Sequence, residues 1–241
     1  MRIIKATDYN DMSKKAADVL AEIVKEKPDL VMGLATGSSP VGMYKCLIEK
    51  YENKEIDFSK ARSVNLDEYL GLSGDHDQSY RYFMDTNFFN HVNIDKKNTH
   101  VPDGVASDPE KNCADYDKII ESLGGVDVQV LGMGHNGHIG FNEPGDHFTK
   151  TTHLIELQES TRHANGVNFE KEEDMPHQAY TMGIQNIMQS KKIILIVSGK
   201  AKAEILKLAL TGNVTPHVPG SILQFHRDVT VVADAEAMSV F

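Results

Sequence analysis

The chain has 241 residues, 40% hydrophobic and 25% charged, with 25 basic against 35 acidic side chains and a formal net charge of −10. That length allows one large domain or two small ones and a sizeable core. The acidic balance, with no Lys/Arg cluster, excludes nucleic acid and anionic membrane surfaces as expected partners, but not an anionic small molecule, because a few local cations outweigh a distant net charge.

The elements alternate along the chain. Residues 1–6 read as a strand. Residues 11–27 read as a helix, with Met12, Ala16, Val19, Leu20, Ile23 and Val24 at helical spacing and Pro28 behind them. "DLVMGLA", residues 29–35, is a continuous apolar run of buried-strand type. A helix over 40–51, a strand over 61–67 and helices over 79–90 and 109–123 follow, the last with Pro109 in its first turn. Strands are expected at 126–133, 191–198 and 229–233, and a helix at 200–211 that Gly212 stops. This order predicts an α/β fold: three layers, Rossmann-like, a mostly parallel sheet with helices on both faces. No repeat or linker divides the chain, so residues 1–241 read as a single domain.

Two cysteines, Cys46 and Cys113, neither beside a His, fit a reducing compartment. "MRIIKATDYND" lacks the apolar core of a signal peptide, and the longest aliphatic run, residues 193–197, is too short to span a bilayer. The expectation is a soluble, cytoplasmic protein.

In such folds ligands collect beyond the carboxyl ends of the strands. Four segments stand there: after Ala35, at Asp67, after Met133 and after Ser198. In "GLATGSSP", residues 33–40, Ser39 can cap a helix with Pro40 in its first position. The helix start is then a site for a phosphate monoester, or an ordinary capped turn; no Gly-Lys-Ser/Thr follows, so it is not a Walker A loop. "SVNLDEYLGL" puts Asp67 and Glu68 at a strand end, where alternation lets only one face a site. That carboxylate is a base tuned upward by burial, a cap, or the partner of a Lys. Tyr80, Tyr82, Phe83, Phe88 and Phe89 follow at helical spacing and read as core.

"LGMGHNGHIGFNEPG", residues 131–145, carries glycines at 132, 134 and 137, the spacing of a dinucleotide fingerprint. Gly140, Pro144 and Gly145 break any helix after the third glycine, so the match reads as accidental. What remains is a loop displaying His135, Asn136, His138, Asn142 and Glu143. It is a site for acid–base work, a polar surface loop, or a zinc site lacking further ligands at a familiar spacing.

Taken together, "GLATGSSP", "NLDEYLGL", "GMGHNGHIGFNEPG", "TRHAN" and "GKAKAE", in this order and nearly end to end, resemble the glucosamine-6-phosphate deaminases (isomerising) of the glucosamine/galactosamine-6-phosphate isomerase family. "FNEP" after the His distinguishes that branch from the related 6-phosphogluconolactonases. The resemblance implies conversion of D-glucosamine 6-phosphate and water to D-fructose 6-phosphate and ammonia in amino-sugar catabolism, with no cofactor and no metal. It implies Asp67 as the base moving a proton between C2 and C1, His138 as the ring-opening acid–base residue, and Glu143 and Asn136 as its supporting partners. Some members carry Asp where Asn136 stands, which bears on the pH profile. Phosphate contacts fall on Thr36, Gly37, Ser38, Ser39, Arg162 and Lys202. Allosterically activated hexameric members carry two basic residues where this chain has His153 and Ile155, and a longer C-terminal segment where it ends at Phe241. These departures imply a monomer rather than a hexamer, without activation by N-acetylglucosamine 6-phosphate. Residues 165–176, polar and charge-rich, are a candidate lid. Alternative readings are a lactonase on the same fold, which would release no ammonia, and a sugar-phosphate sensor without turnover.

Overall fold

The computed structural model describes residues 1–241 except 168, 172 and 173. Its chain alternates strands and helices, with β4 and β5 beyond those the apolar pattern predicts: β1 (Arg2–Ala6), α1 (Tyr9–Glu26), β2 (Val31–Leu34), α2 (Ser38–Glu52), β3 (Arg62–Asn65), β4 (Asp67–Tyr69), α3 (Tyr80–Asn87), β5 (Thr99–His100), α4 (Pro109–Ser122) and β6 (Val128–Leu131). Then come β7 (His153–Glu156), α5 (Glu159–Gly166), β8 (Gln178–Thr181), α6 (Ile184–Met188), β9 (Lys192–Val197), α7 (Ala203–Thr211) and β10 (Val229–Asp234).

Seven strands form one sheet in the order β1-β10-β9-β6-β2-β3-β5, every pair parallel. Every residue of β2 and β6 is buried. Neighbouring side chains on a strand point to opposite faces, so the helices cover both faces of the sheet at its centre. The strand order reverses between β2 and β6: the chain runs from β2 outward to β3, and from β6 outward to β9 through the later elements. That switch point opens a crevice at the strands' carboxyl ends.

A second sheet departs from expectation. Residues 61–67 do not make one strand. The chain leaves the large sheet after Asn65 and starts β4 at Asp67, in an antiparallel sheet of order β4-β8-β7. Leu66 serves both sheets: its N–H donates to Leu34 O at 3.1 Å, and its carbonyl accepts from Met182 N at 2.7 Å. Among the described residues no helix is long and apolar enough to cross a membrane.

Candidate functional site

Two connected cavities lie over the switch point. An open cleft of 720 Å³ is lined by Ser38, Ser39, His135, Asn136, His138 and Lys202 among others. A smaller chamber of 160 Å³ beneath it is lined by residues 36–39, Asp67, Tyr80, His138 and Lys202 among others. Segments following β2, β3, β6 and β9 therefore converge on one space.

Helix α2 starts two residues earlier than the sequence suggests. Gly37, not Ser39, is its N-cap, with φ 88° and no side-chain capping bond. Only glycine adopts that angle without strain, and the turn leaves the first N–H groups of a 15-residue helix facing the cavities. Lys202, in the single 3₁₀ turn Lys200–Lys202 before α7, reaches the same space and donates to Met133 O at 2.8 Å. Burial brings its ammonium pKa down to about 8.

The two strand-end carboxylates have opposite surroundings. Glu68 turns away from the chamber. Its Oε1 accepts from Tyr69 N at 2.8 Å and Tyr80 N at 2.9 Å, and its Oε2 from Arg81 N at 3.0 Å. It thus caps the start of α3. Burial pushes its carboxyl up to about 7, against the pull of those three bonds. Asp67 lines the chamber, is 6% exposed, and receives no hydrogen bond from any described residue. Burial first, and the Glu68 charge second, push it up to about 8.

His138 stands opposite in the loop after β6. No helix follows Gly137; the loop continues through an isolated bridge between Ile139 and Asn142, so the glycine spacing holds no dinucleotide turn. Gly134 makes room for the imidazole: a Cβ there would meet the His138 ring at 2.3 Å. Nδ1 of His138 lies 3.3 Å from Glu143 Oε2. The ionised carboxylate only accepts, so Nδ1 carries the proton and Nε2 is free for proton exchange. Asn136 uses its whole amide: Nδ2 donates to Glu143 Oε2 at 2.6 Å and to Gln158 Oε1 at 3.1 Å, and Oδ1 accepts from His138 N at 3.1 Å. Burial alone would raise Glu143, but bonds from His138, Thr161 and Asn136 outweigh it and hold the carboxyl below its ordinary value.

Of the ten residues picked from sequence, Asp67, His138, Lys202 and the four of the 36–39 turn line the smaller chamber, Asn136 lines the cleft, and Glu143 stands behind His138. Arg162 lines neither cavity; it is half-buried, and its Nε has no hydrogen-bond partner among the described residues. Asn142 does not face the site but locks the loop, donating to Ile139 O at 2.9 Å and Met182 O at 2.8 Å. Among the aromatics, Phe88 and Phe89 are core, but Tyr82 is 40% exposed and Tyr80 belongs to the chamber wall. Sequence reading passed over Gln158, Thr161 and Asn165. The last two flank Arg162 within "TRHAN", the one signal that could have found them. The candidate lid, residues 165–176, includes 168, 172 and 173, which lie outside the described residues.

Comparison with known proteins identifies the family and the fold. Residues 6–232 match the family of glucosamine-6-phosphate isomerases/6-phosphogluconolactonase. The chain is 54% identical over 237 residues to a glucosamine-6-phosphate deaminase of Clostridium perfringens, covering 98% of each. It is 56% identical over 232 residues to that of Lachnoclostridium phytofermentans, covering 96% of this chain and 98% of the relative. A solved structure described as a monomeric glucosamine-6-phosphate deaminase matches with TM-score 0.98 at 44% identity, covering all of both chains. A 6-phosphogluconolactonase from Trypanosoma brucei, TM-score 0.81 at 18% identity over 99% of this chain and 97% of that one, shares the fold.

Proposed function

The chain belongs to the glucosamine-6-phosphate isomerase/6-phosphogluconolactonase family, on its deaminase branch, and from that premise we propose how one catalytic domain converts D-glucosamine 6-phosphate and water to D-fructose 6-phosphate and ammonia. The phosphate meets the N–H groups of the Gly37–Ser39 turn, the Ser38 and Ser39 hydroxyls and the Lys202 ammonium; Arg162, which lines neither cavity, joins as a second cation by turning toward the bound ligand. This anchors the flexible open-chain sugar at the end remote from reaction.

His138 then moves one proton between the anomeric hydroxyl and the ring oxygen through Nε2, while Glu143 and Asn136 hold Nδ1–H and the loop. The ring opens to a C1 aldehyde. Asp67 takes the C2 proton, acidified by that carbonyl, to give the enolate of an enolamine, and delivers it to C1. C2 becomes an iminium and O1 an alkoxide. Water adds to C2 and its proton passes to O1; the remaining hydroxyl proton of the carbinolamine passes to nitrogen, ammonia leaves, and the C2 ketone remains. Neither a hydride nor a free electron moves, so the chemistry requires no cofactor. A raised carboxyl suits this role, because a base with a pKa near the working pH gives the proton back as readily as it takes it.

The observation that carries this reading is the shared 160 Å³ chamber, with Asp67 and His138 in its wall beside Lys202 and the 36–39 turn. We further place the protein in the cytoplasm, in amino-sugar breakdown, acting as a monomer, a reading supported by the description of its 44%-identical structural relative. The test is to supply glucosamine 6-phosphate and quantify ammonia and fructose 6-phosphate, with and without EDTA. Equal amounts of both products, unaffected by EDTA, are expected. Hydrolysis of 6-phosphogluconolactone with no ammonia from glucosamine 6-phosphate would overturn the proposal.

A further inference from the structure

Behind His138 two side-chain amides tie its loop to the start of α5. Gln158 stands at the N-cap of that helix and lines neither cavity. Its Nε2 donates to Pro144 O at 3.2 Å, and its Oε1 accepts from Asn136 Nδ2 at 3.1 Å. Asn136 carries the connection inward. The same Nδ2 donates to Glu143 Oε2 at 2.6 Å, and Oδ1 accepts from His138 N at 3.1 Å.

Each amide fits only one way round. A carbonyl only accepts, so Gln158 turns its N–H₂ toward Pro144 and its oxygen toward Asn136. Asn136 then offers its N–H₂ to Gln158 and to the Glu143 carboxylate, and its oxygen to the His138 N–H. Every donor in the line meets an acceptor, from the backbone of Pro144 to the residue that carries the imidazole.

The ring's own contacts are looser. Nδ1 of His138 lies 3.3 Å from Glu143 Oε2 and 3.5 Å from Thr161 Oγ1, both long for a hydrogen bond. Glu143 Oε1 has no hydrogen-bond partner among the described residues. The short bond on this carboxylate comes from Asn136, so the set of that amide governs which oxygen faces the ring. Gln158 supplies the second acceptor that keeps the Asn136 N–H₂ from swinging.

We propose that Gln158 is a positioning residue for His138: it fixes the amide of Asn136, which fixes Glu143, which keeps the imidazole proton on Nδ1 and leaves Nε2 to the substrate. The inference rests on the reading of His138 as the ring-opening acid–base residue. The backbone of Gln158, not its side chain, caps α5: its carbonyl accepts from Thr161 N at 3.0 Å and Arg162 N at 2.9 Å, and the side chain makes no capping bond. Replacing the side chain therefore leaves the helix start in place.

The experiment is a double-mutant cycle on Gln158→Met and Asn136→Ala, read as kcat and KM for glucosamine 6-phosphate and as the Kd of inorganic phosphate by calorimetry. Gln158→Met is expected to lower kcat about tenfold, as stranding one part-buried donor allows, with KM and the phosphate Kd changed less than about twofold. In the Asn136→Ala background the same replacement should lower kcat by less than about twofold, because the connection is already cut. An unchanged kcat in Gln158→Met, the same loss in both backgrounds, or a shift confined to KM and phosphate affinity would overturn the proposal. Should Gln158→Met fold poorly, Gln158→Ala closes the same cycle. A second readout needs no turnover: the imidazole nitrogen NMR signals of His138, assigned by their loss in His138→Gln. Wild-type protein should show the Nδ1–H tautomer, and its share should fall in Gln158→Met; an unchanged share would overturn the proposal. Wild-type protein that releases no ammonia would refute the deaminase reading alone, since the tautomer still decides the inference.

Discussion

The two sheets of this molecule are built on different terms. The large parallel sheet is held by burial: Leu195 and Ile196 in β9 are 0% exposed, as are Val231 and Val232 in β10. The small antiparallel sheet is three strands of three or four residues, and β7 is no more than half-buried along its length. Its hold on the rest comes from a small apolar cluster that includes Tyr69, Phe141 and Ala179, together with polar bonds such as Thr181 Oγ1 accepting from Phe141 N at 2.9 Å. No described residue donates a hydrogen bond to the carboxylate of Asp67, its first residue. The large sheet supplies stability and strand ends. The small one supplies a buried carboxylate without a donor among the described residues, which is costly to the fold and is the group proposed as the base.

The sharpest way to break this contrast is Asp67→Asn. Turnover should fall by about 10³-fold or more, with phosphate affinity largely kept, as fits loss of an acid–base group. Near-native turnover would remove Asp67 from its role. The same variant tests the cost. The unfolded chain gives up this proton near pH 3.8, whereas the folded chain keeps it to about 8. Over that window the group lowers wild-type stability as pH rises. The Tm advantage of Asp67→Asn should therefore be near zero at pH 4 and widen toward pH 8; a constant gap would contradict the burial argument.

Next in size is Leu195→Ala in the large sheet. It should cost about 2–5 kcal/mol in urea unfolding while leaving the KM of the surviving folded enzyme unchanged. A KM shift would show that the sheet's core and the site are not separable. Glu68→Gln comes third. An amide presents an N–H₂ to one of three backbone donors, so stability should fall by about 1–3 kcal/mol, with a smaller loss of activity than at Asp67. Equal activity losses at both positions would erase the distinction between the neighbours.

The mildest expected effect is on the pH profile. In kcat/KM the acid limb follows ionisation of Asp67, and the alkaline limb follows loss of the Lys202 proton, each set at about 8. The profile is a narrow bell. Lys202→Arg keeps the charge and should flatten the alkaline limb; if the limb stays, another group produces it.

The same contrast explains what could be read from the amino acids alone. Runs such as "KKIILIVS" declare a doubly covered strand, and helices such as α1 repeat their apolar residues at helical spacing. "DEY", "HLIE" and "QAYT" declare nothing: three or four residues with one or two apolar side chains fit a loop equally well, so the second sheet was invisible. Residues 61–67 looked continuous because no proline or glycine marks the switch at Leu66. Asp67 and Glu68 were legible as a pair of which one faces the site, but their assignment depends on the N–H groups of Tyr80 and Arg81, twelve and thirteen positions on. Tyr80 looked like core because helical spacing does not tell a core wall from a cavity wall.

Leu66 has one more implication. A single peptide is stitched to both sheets, donating to one and accepting from the other, and the next side chain is Asp67. Any slippage of one sheet past the other would thus reach the carboxylate proposed as the base within one residue, and with it the alignment on which the proton transfer depends.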